Sequence, residues 1–252
     1  MLNSYNPENI RLAGPFPIMA SPMQIIQVPQ VEEITPCPYL EGREKQLEFF
    51  GATEVSAAEL SRLLAEGWRK FGPCYFKPAC PGCRLCIPLR IPVAEFTPSR
   101  SQRRVLRKGS HLKVQFGPLR LSERIYQIYR DHSRQRFDQD SDLEGFLQSF
   151  YLPSCPCLQE EIYLDEELIG VGFLDLGEDC LSSVYFCFDP DYGHLNPGIF
   201  SALQEIEYAR RNNLAYYYLG YYVPGSPRMA YKDRFLPREY YDWECRIWRC
   251  VD

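Results

Sequence analysis

From Glu161 onward the chain changes its hydrophobic period, and that switch restricts the fold more than any other feature. Glu161–Asp165, Leu168–Leu176 and Cys180–Asp189 are β-rich runs separated by short turns at Glu166 and Gly177–Asp179. Gly198–Arg211 then repeats at helical spacing, with Ile199, Ala202, Leu203, Ile206 and Ala209 on one face, and Ala215–Tyr222 returns to strand. Three strands in sequence, a helix and a further strand predict an α+β layered arrangement built on an antiparallel sheet. Upstream, residues 1–36 are rich in Pro and lack a sustained apolar period, so they read as an irregular lead-in. Residues 37–120 carry a cysteine cluster and a basic helix, with another helix expected near Ala57–Trp68; residues 121–252 form the second unit, opening on a helix over Leu121–Tyr129.

Charge is distributed unevenly. The net charge is -5, yet between Trp68 and Ser122 twelve Lys and Arg face a single acid, Glu95. A polyanion responds to that local field rather than to the whole-molecule sum. Inside this segment, Ser99 and Gln102 form a capping-box pair that opens a helix. On it Arg100, Arg103, Arg104, Arg107 and Lys108 fall at i, i+3, i+4, i+7 and i+8, one face. Five cations on one face repel each other unless an anion lies across them, so this face is expected to hold nucleic-acid phosphates, which position a partner without reading its sequence.

Eleven cysteines in a chain without a signal-peptide pattern point to a reducing compartment, and a cytoplasmic location is the expectation. No apolar run approaches the roughly 18–20 residues of a membrane span. Cys80, Cys83 and Cys86 form a C-x2-C-x2-C run, with Cys37 as the distant fourth thiolate and Cys74 as the spare candidate. Thiolate sets of this kind take zinc or an iron–sulfur cluster, and spacing does not choose between them.

Other chemistries find little support. The chain has three histidines, His111, His132 and His194, and no G-x-S-x-G nucleophile motif or Walker loop. Gly193–Gly198 precedes a helix but is not the glycine-rich loop that would cradle coenzyme A pyrophosphate, which weakens an N-acetyltransferase reading. A non-catalytic metal-cluster redox sensor that binds nucleic acid is the alternative from a different class.

Phe71–Arg104, with Tyr75-Phe-Lys-Pro78, the three-cysteine run, Ile87-Pro-Leu-Arg-Ile91 and Phe96–Arg104, resembles the aminoacyl-tRNA–protein transferases. So do Cys37-Pro-Tyr-Leu40, Leu181–Tyr185, Phe188-Asp-Pro190, Tyr218–Tyr221 and Met229–Lys232, in order from about residue 37 to 240. The resemblance implies transfer of an amino acid from aminoacyl-tRNA to the N-terminal α-amine of proteins beginning with Asp or Glu, which marks them for degradation in the N-degron pathway. It also implies a GNAT-like, N-acyltransferase-type C-terminal half, and in some members an iron–sulfur cluster. The single cysteine of Cys37-Pro-Tyr-Leu40 and the short chain are similar to the bacterial leucyl branch, so leucine is the favoured donor, with arginine the alternative. The aminoacyl ester is already activated, so aminolysis needs positioning and oxyanion donors rather than a covalent intermediate or a nucleotide cofactor. Within this reading, Arg100, Arg103, Arg104, Arg107 and Lys108 hold tRNA. Arg90, Arg228 or Lys232 pairs with the acceptor's carboxylate. Tyr221 and Tyr231 hydrogen-bond the amine or ester, and Asp189 accepts the proton. Cys37, Cys80, Cys83 and Cys86 hold a metal or cluster.

Overall fold

The computed structural model describes residues 23–137 and 142–251. Along the chain, β1 (Gln24–Val31), a short hairpin of β2 (Thr35–Pro36) and β3 (Glu44–Lys45), β4 (Leu47–Thr53), α1 (Ala57–Ala65), β5 (Arg69–Phe71) and β6 (Cys74–Pro78) come first. Of these, β1, β4, β6 and β5 make a four-stranded antiparallel sheet in that order. The lead-in expected to be irregular therefore contains a strand. Its part up to residue 22 lies outside the described residues; beyond it, backbone pairing with β4 extends β1, although every β1 side chain is exposed. A capping box starts α1: Ser56 Oγ accepts from the Glu59 N–H at 3.3 Å, and the Glu59 carboxylate accepts from the Ser56 N–H at 2.9 Å. Its Leu60 and Leu64 pack on Phe50 and Tyr75 of the small sheet and on Trp68 just before β5, and reach Tyr218 of the large sheet.

The rest follows as β7 (Ile87–Pro92), α2 (Arg100–Lys108), β8 (Lys113–Gly117), α3 (Glu123–Phe137), α4 (Leu143–Phe150), β9 (Cys157–Leu164), β10 (Glu167–Leu176), β11 (Cys180–Phe188), α5 (Pro197–Arg211), β12 (Tyr216–Tyr222), β13 (Arg238–Asp242) and β14 (Ile247–Val251). Eight strands pair in the order β14-β13-β7-β12-β11-β10-β9-β8. All pairs are antiparallel except β11 with β12, which the α5 crossover makes parallel. Neighbours on β10 divide between the faces. Val171 and Phe173 pack with Ile125, Ile128, Phe146 and Phe150 from α3 and α4, whereas Gly172 lies beside Glu205 of α5. The α5 side buries Leu203, Ile206 and Ala209 on Leu89, Ile91, Leu174, Leu181 and Tyr217. The expected strand-strand-strand-helix-strand pattern is present, and the molecule is mixed α+β. A boundary at residue 120, however, cuts through the sheet, because β7 and β8 are strands of it.

Candidate functional site

The parallel pair β11–β12 is hydrogen-bonded only at its start, where Cys180, Leu181 and Ser182 match Tyr216, Tyr217 and Tyr218. Past that point β11 breaks register with β10 between Phe173 and Leu174, opposite Tyr185 and Ser183, and β12 breaks register with β7 between Tyr218 and Gly220. Irregularities of this kind bend strands, and here the two strands part. Two cations fill the fork. Arg69, at the start of β5, donates from Nη2 to the Ser183 carbonyl. Lys232, in a 3-10 turn over Ala230–Arg234, donates from Nζ to the Tyr221 carbonyl at 2.9 Å. Gly220 sits between them at φ +85°, where an added Cβ would lie 3.1 Å from Lys232 Nζ and 3.6 Å from Arg69 Nη2.

Lys232 is 7% exposed, and Arg69 Nη1 is buried with no hydrogen-bond partner. Among the described residues no carboxylate lies within 4 Å of either. Burial and the neighbouring Arg69 charge bring the Lys232 ammonium down to about 7, and burial lowers Arg69 as well. Two adjacent cations, one buried and one half-buried with an unpartnered buried Nη1, make a receptor for an anion, and a carboxylate satisfies both charge and donors.

A second polar cluster meets the first at Ser183. Glu160 of β9 and Glu205 of α5 are fully buried and share Ser201, whose Oγ is 2.5 Å from Glu160 Oε2 and 3.2 Å from Glu205 Oε1. Tyr217 donates its hydroxyl to Glu205 Oε2. Burial holds both carboxyls above the usual range, and the charge of Glu205 lifts Glu160 further. Gly172 is what lets the two heads approach: a Cβ there would lie 3.0 Å from Glu160 Oε2 and 3.3 Å from Glu205 Oε1.

Of the residues read from the sequence, Lys232 is in this fork and Tyr231 borders it, its ring centroid 6.0 Å from Lys232 Nζ, with burial and Glu205 raising its hydroxyl to about 12. Tyr221 is present through its backbone. Its hydroxyl is committed to the Gly67 and Phe76 carbonyls at 2.8 and 3.3 Å, so it is not free to bond an amine or ester. Arg90 is not available either: it pairs with Glu239 at 2.5 Å, donates to the Tyr218 hydroxyl and lies over the Tyr216 and Trp248 rings. Asp189 is seven residues beyond Ser182 on β11, roughly 23 Å at strand rise. Its carboxylate caps the Pro190–Leu195 turn and pairs with Arg124 at 2.7 Å, so it is structural. Arg228 is exposed, and its charge acts on Tyr39.

The basic helix forms as expected, capped by Ser99 and Gln102. Arg100, Arg103, Arg104, Arg107 and Lys108 are all exposed, and among the described residues no carboxylate pairs with any of them. Gln102, buried on the opposite side, donates from Nε2 to the Arg234 carbonyl at 3.2 Å, joining this helix to the turn that carries Lys232. The four cysteines also gather. Burial chiefly, then the charges of Cys80, Cys37 and Cys83, push the Cys86 thiol up to about 12, while Cys74 is exposed on β6. Among the described residues no three Cys, His, Asp or Glu side chains stand at the spacing of metal ligands.

Arg69, Glu160 and Glu205 escape a sequence reading. Arg69 is one of twelve cations in its segment and has no motif. Glu205 had one usable signal: it lies three residues after Ala202 and four before Ala209, on the helix stripe that should be apolar.

Residues 35–104 match the family model for the arginine-tRNA-protein transferase N terminus, and residues 122–242 match the one for its C terminus. An aspartate/glutamate leucyltransferase of Marinobacter nauticus is 36% identical over 81% of this chain and 88% of its own length. Another, from Halorhodospira halophila, is 35% identical over 86% and 94%. Among solved structures, FemX superposes with a TM-score of 0.45 at 9% identity, over 67% of this chain and 61% of that one. The chain belongs to the aminoacyl-tRNA–protein transferase family, alongside the bacterial aspartate/glutamate leucyltransferases.

Proposed function

We propose that this protein transfers leucine from leucyl-tRNA to the α-amine of proteins that begin with Asp or Glu. The observation that carries the reading is the Arg69–Lys232 pair, half-buried and buried respectively, which among the described residues lacks an anion of its own and fits an acceptor's side-chain carboxylate. A neutral first residue would leave both cations uncompensated, which is a strong basis for selectivity. The exposed cationic face of α2 takes tRNA phosphates, and the Gln102 contact to Arg234 couples that face to the acceptor pocket. The amine then attacks an ester that is already activated, so the protein's work is to align two substrates. Tyr231, at the edge of the fork, is the side chain we assign to the ester.

The parting of β11 from β12 after three residue pairs, preceded by an antiparallel meander and the α5 crossover, supports a GNAT-like arrangement of the C-terminal half. The donor set of Cys37, Cys80, Cys83 and Cys86 suits zinc or an iron–sulfur cluster in its chemistry; a bound group would cross-link the loop before β3 to the turn after β6. A leucine added to such an N-terminus would direct the modified protein to the N-degron pathway. These features accord with a cytoplasmic enzyme acting on aminoacyl-tRNA and on proteins with N-terminal Asp or Glu.

The deciding experiment supplies leucyl- and arginyl-tRNA separately with peptides that start with Asp, Glu or Ala. Leucine transfer to Asp and Glu but not Ala is expected. Arginine transfer would keep the site and change the donor, whereas equal transfer to Ala would remove the carboxylate pocket from the reading.

A further inference from the structure

The acceptor's α-ammonium carries three protons and the product amide nitrogen one. As the new C–N bond forms and the ester C–O bond breaks, one proton leaves with the ribose oxygen and the other needs a base. Asp189 is remote and paired, and Lys232 is a cation when it holds the carboxylate. The base must therefore be another group at the fork.

We infer that the Glu160–Glu205 pair is that proton acceptor, reached from the fork through the Tyr217 hydroxyl. This inference rests on the transfer reaction proposed above. Four observations converge on it. Glu160 and Glu205 come from β9 and α5, yet their heads meet through Ser201, and Gly172 clears the space between them. Tyr217 is 0% exposed and donates to Glu205, on the β12 strand that lines the fork. Ser183 belongs to both clusters, because its carbonyl accepts from Arg69 and its side chain bonds Glu205 and Tyr217. Glu160 Oε1 is buried without a partner, so the network has unfilled capacity.

Groups facing Glu205 from each packed element are consistent with a relay. Glu160 from β9, the Ser183 hydroxyl from β11, Tyr217 from β12 and Tyr231 from the 3-10 turn surround it, and Arg136, at the end of α3, acts on Tyr231. Two carboxyls this close do not both ionise readily. Burial raises both carboxyls and the charge of Glu205 raises Glu160 further, while Glu205 accepts from Tyr217 and Ser201, so in this relay Glu205 is the member that takes the proton. During transfer Tyr217 passes its proton to Glu205 and receives one from the ammonium, and after product release the proton returns through Tyr217 to water entering the emptied fork.

The test is the pH profile of leucine transfer to an Asp-initiated peptide by Glu205→Gln and Tyr217→Phe, each checked for unchanged tRNA binding and thermal unfolding. Both should lose tenfold or more at pH 7 and recover toward wild type near pH 9, where the free α-amine, with a pKa of about 8, needs no base. Tyr217→Phe leaves both carboxyls in place, so it remains informative if the Glu205 variant folds poorly. Wild-type rates, or a loss equal at every pH, would overturn the inference. A wild-type enzyme that moves no leucine at all would instead overturn the function on which it rests.

Discussion

Lys232 must be charged to hold a carboxylate, yet the fold brings its ammonium down to about 7 from an ordinary value near 10.5. Between those two values the unfolded chain binds a proton that the empty folded site does not, so this group makes the protein more stable as pH rises through that window. Its destabilising effect is complete below about 7. A bound carboxylate restores the charge. Above pH 7 an Asp peptide should therefore bind with uptake of a proton, and its affinity should fall by up to about tenfold per pH unit. Titration calorimetry in two buffers of different ionisation enthalpy measures the uptake. Lys232→Met should abolish it; an unchanged uptake in that variant would assign the proton elsewhere. Gly220→Ala tests the same pocket by sterics, because its Cβ would stand 3.1 Å from Lys232 Nζ on a φ of +85°. The acceptor KM should rise while tRNA affinity holds. Lys232 was visible in the sequence because it sits in a run that resembles a family segment. Arg69 was not, since what singles it out is a fork between two distant strands.

On the α2 helix nine residues carry five exposed cations, and the helix is held by one cap and one buried glutamine rather than by a wide apolar face. Each phosphate contact removed should flatten the salt dependence of tRNA binding by about 0.7–0.9 in the log–log slope. Arg104→Ala and Arg107→Ala should each do so without changing acceptor KM, as filter binding across a salt series would show. A slope that does not move would mean that these residues face only water. Ser99→Ala removes the cap, at about 1 kcal/mol, and should weaken tRNA binding by loosening all five cations together. Both this helix and the β9–β12 segment were readable because capping boxes and alternating runs are local patterns. The four-stranded sheet was not: β5 and β6 are short and flank Gly72 and Pro73, and β1 shows no buried face at all. Glu160 was missed because it lies just before the run read as a strand from Glu161; it interrupts the apolar face of Leu158 and Ile162, and only packing reveals that it meets Glu205.

At the level of the whole molecule, the division expected near residue 120 fails on topology. Strand β7, from the N-terminal region, lies between β12 and β13 in the large sheet, pairing Ile91 with Tyr217 on one side and Leu89 with Tyr240 on the other. A fragment of residues 121–252 would leave the facing edges of β12 and β13 unpaired and lose Leu89 and Ile91 from the α5 core. The cations divide the same way: Arg69 comes from β5 and Lys232 from the turn before β13, so neither half of the chain contains the acceptor pocket. The full chain should then unfold in a single cooperative transition followed alike by far-ultraviolet circular dichroism and tryptophan fluorescence. The 121–252 fragment should show little fixed tertiary structure and no binding of Asp peptides. If that fragment folded with its own sharp transition, the large sheet would be divisible and the pocket would be an interface between two independent units. The interleaved strand order argues for one unit, in which the cationic face of α2 and the Arg69–Lys232 fork are positioned by the same sheet.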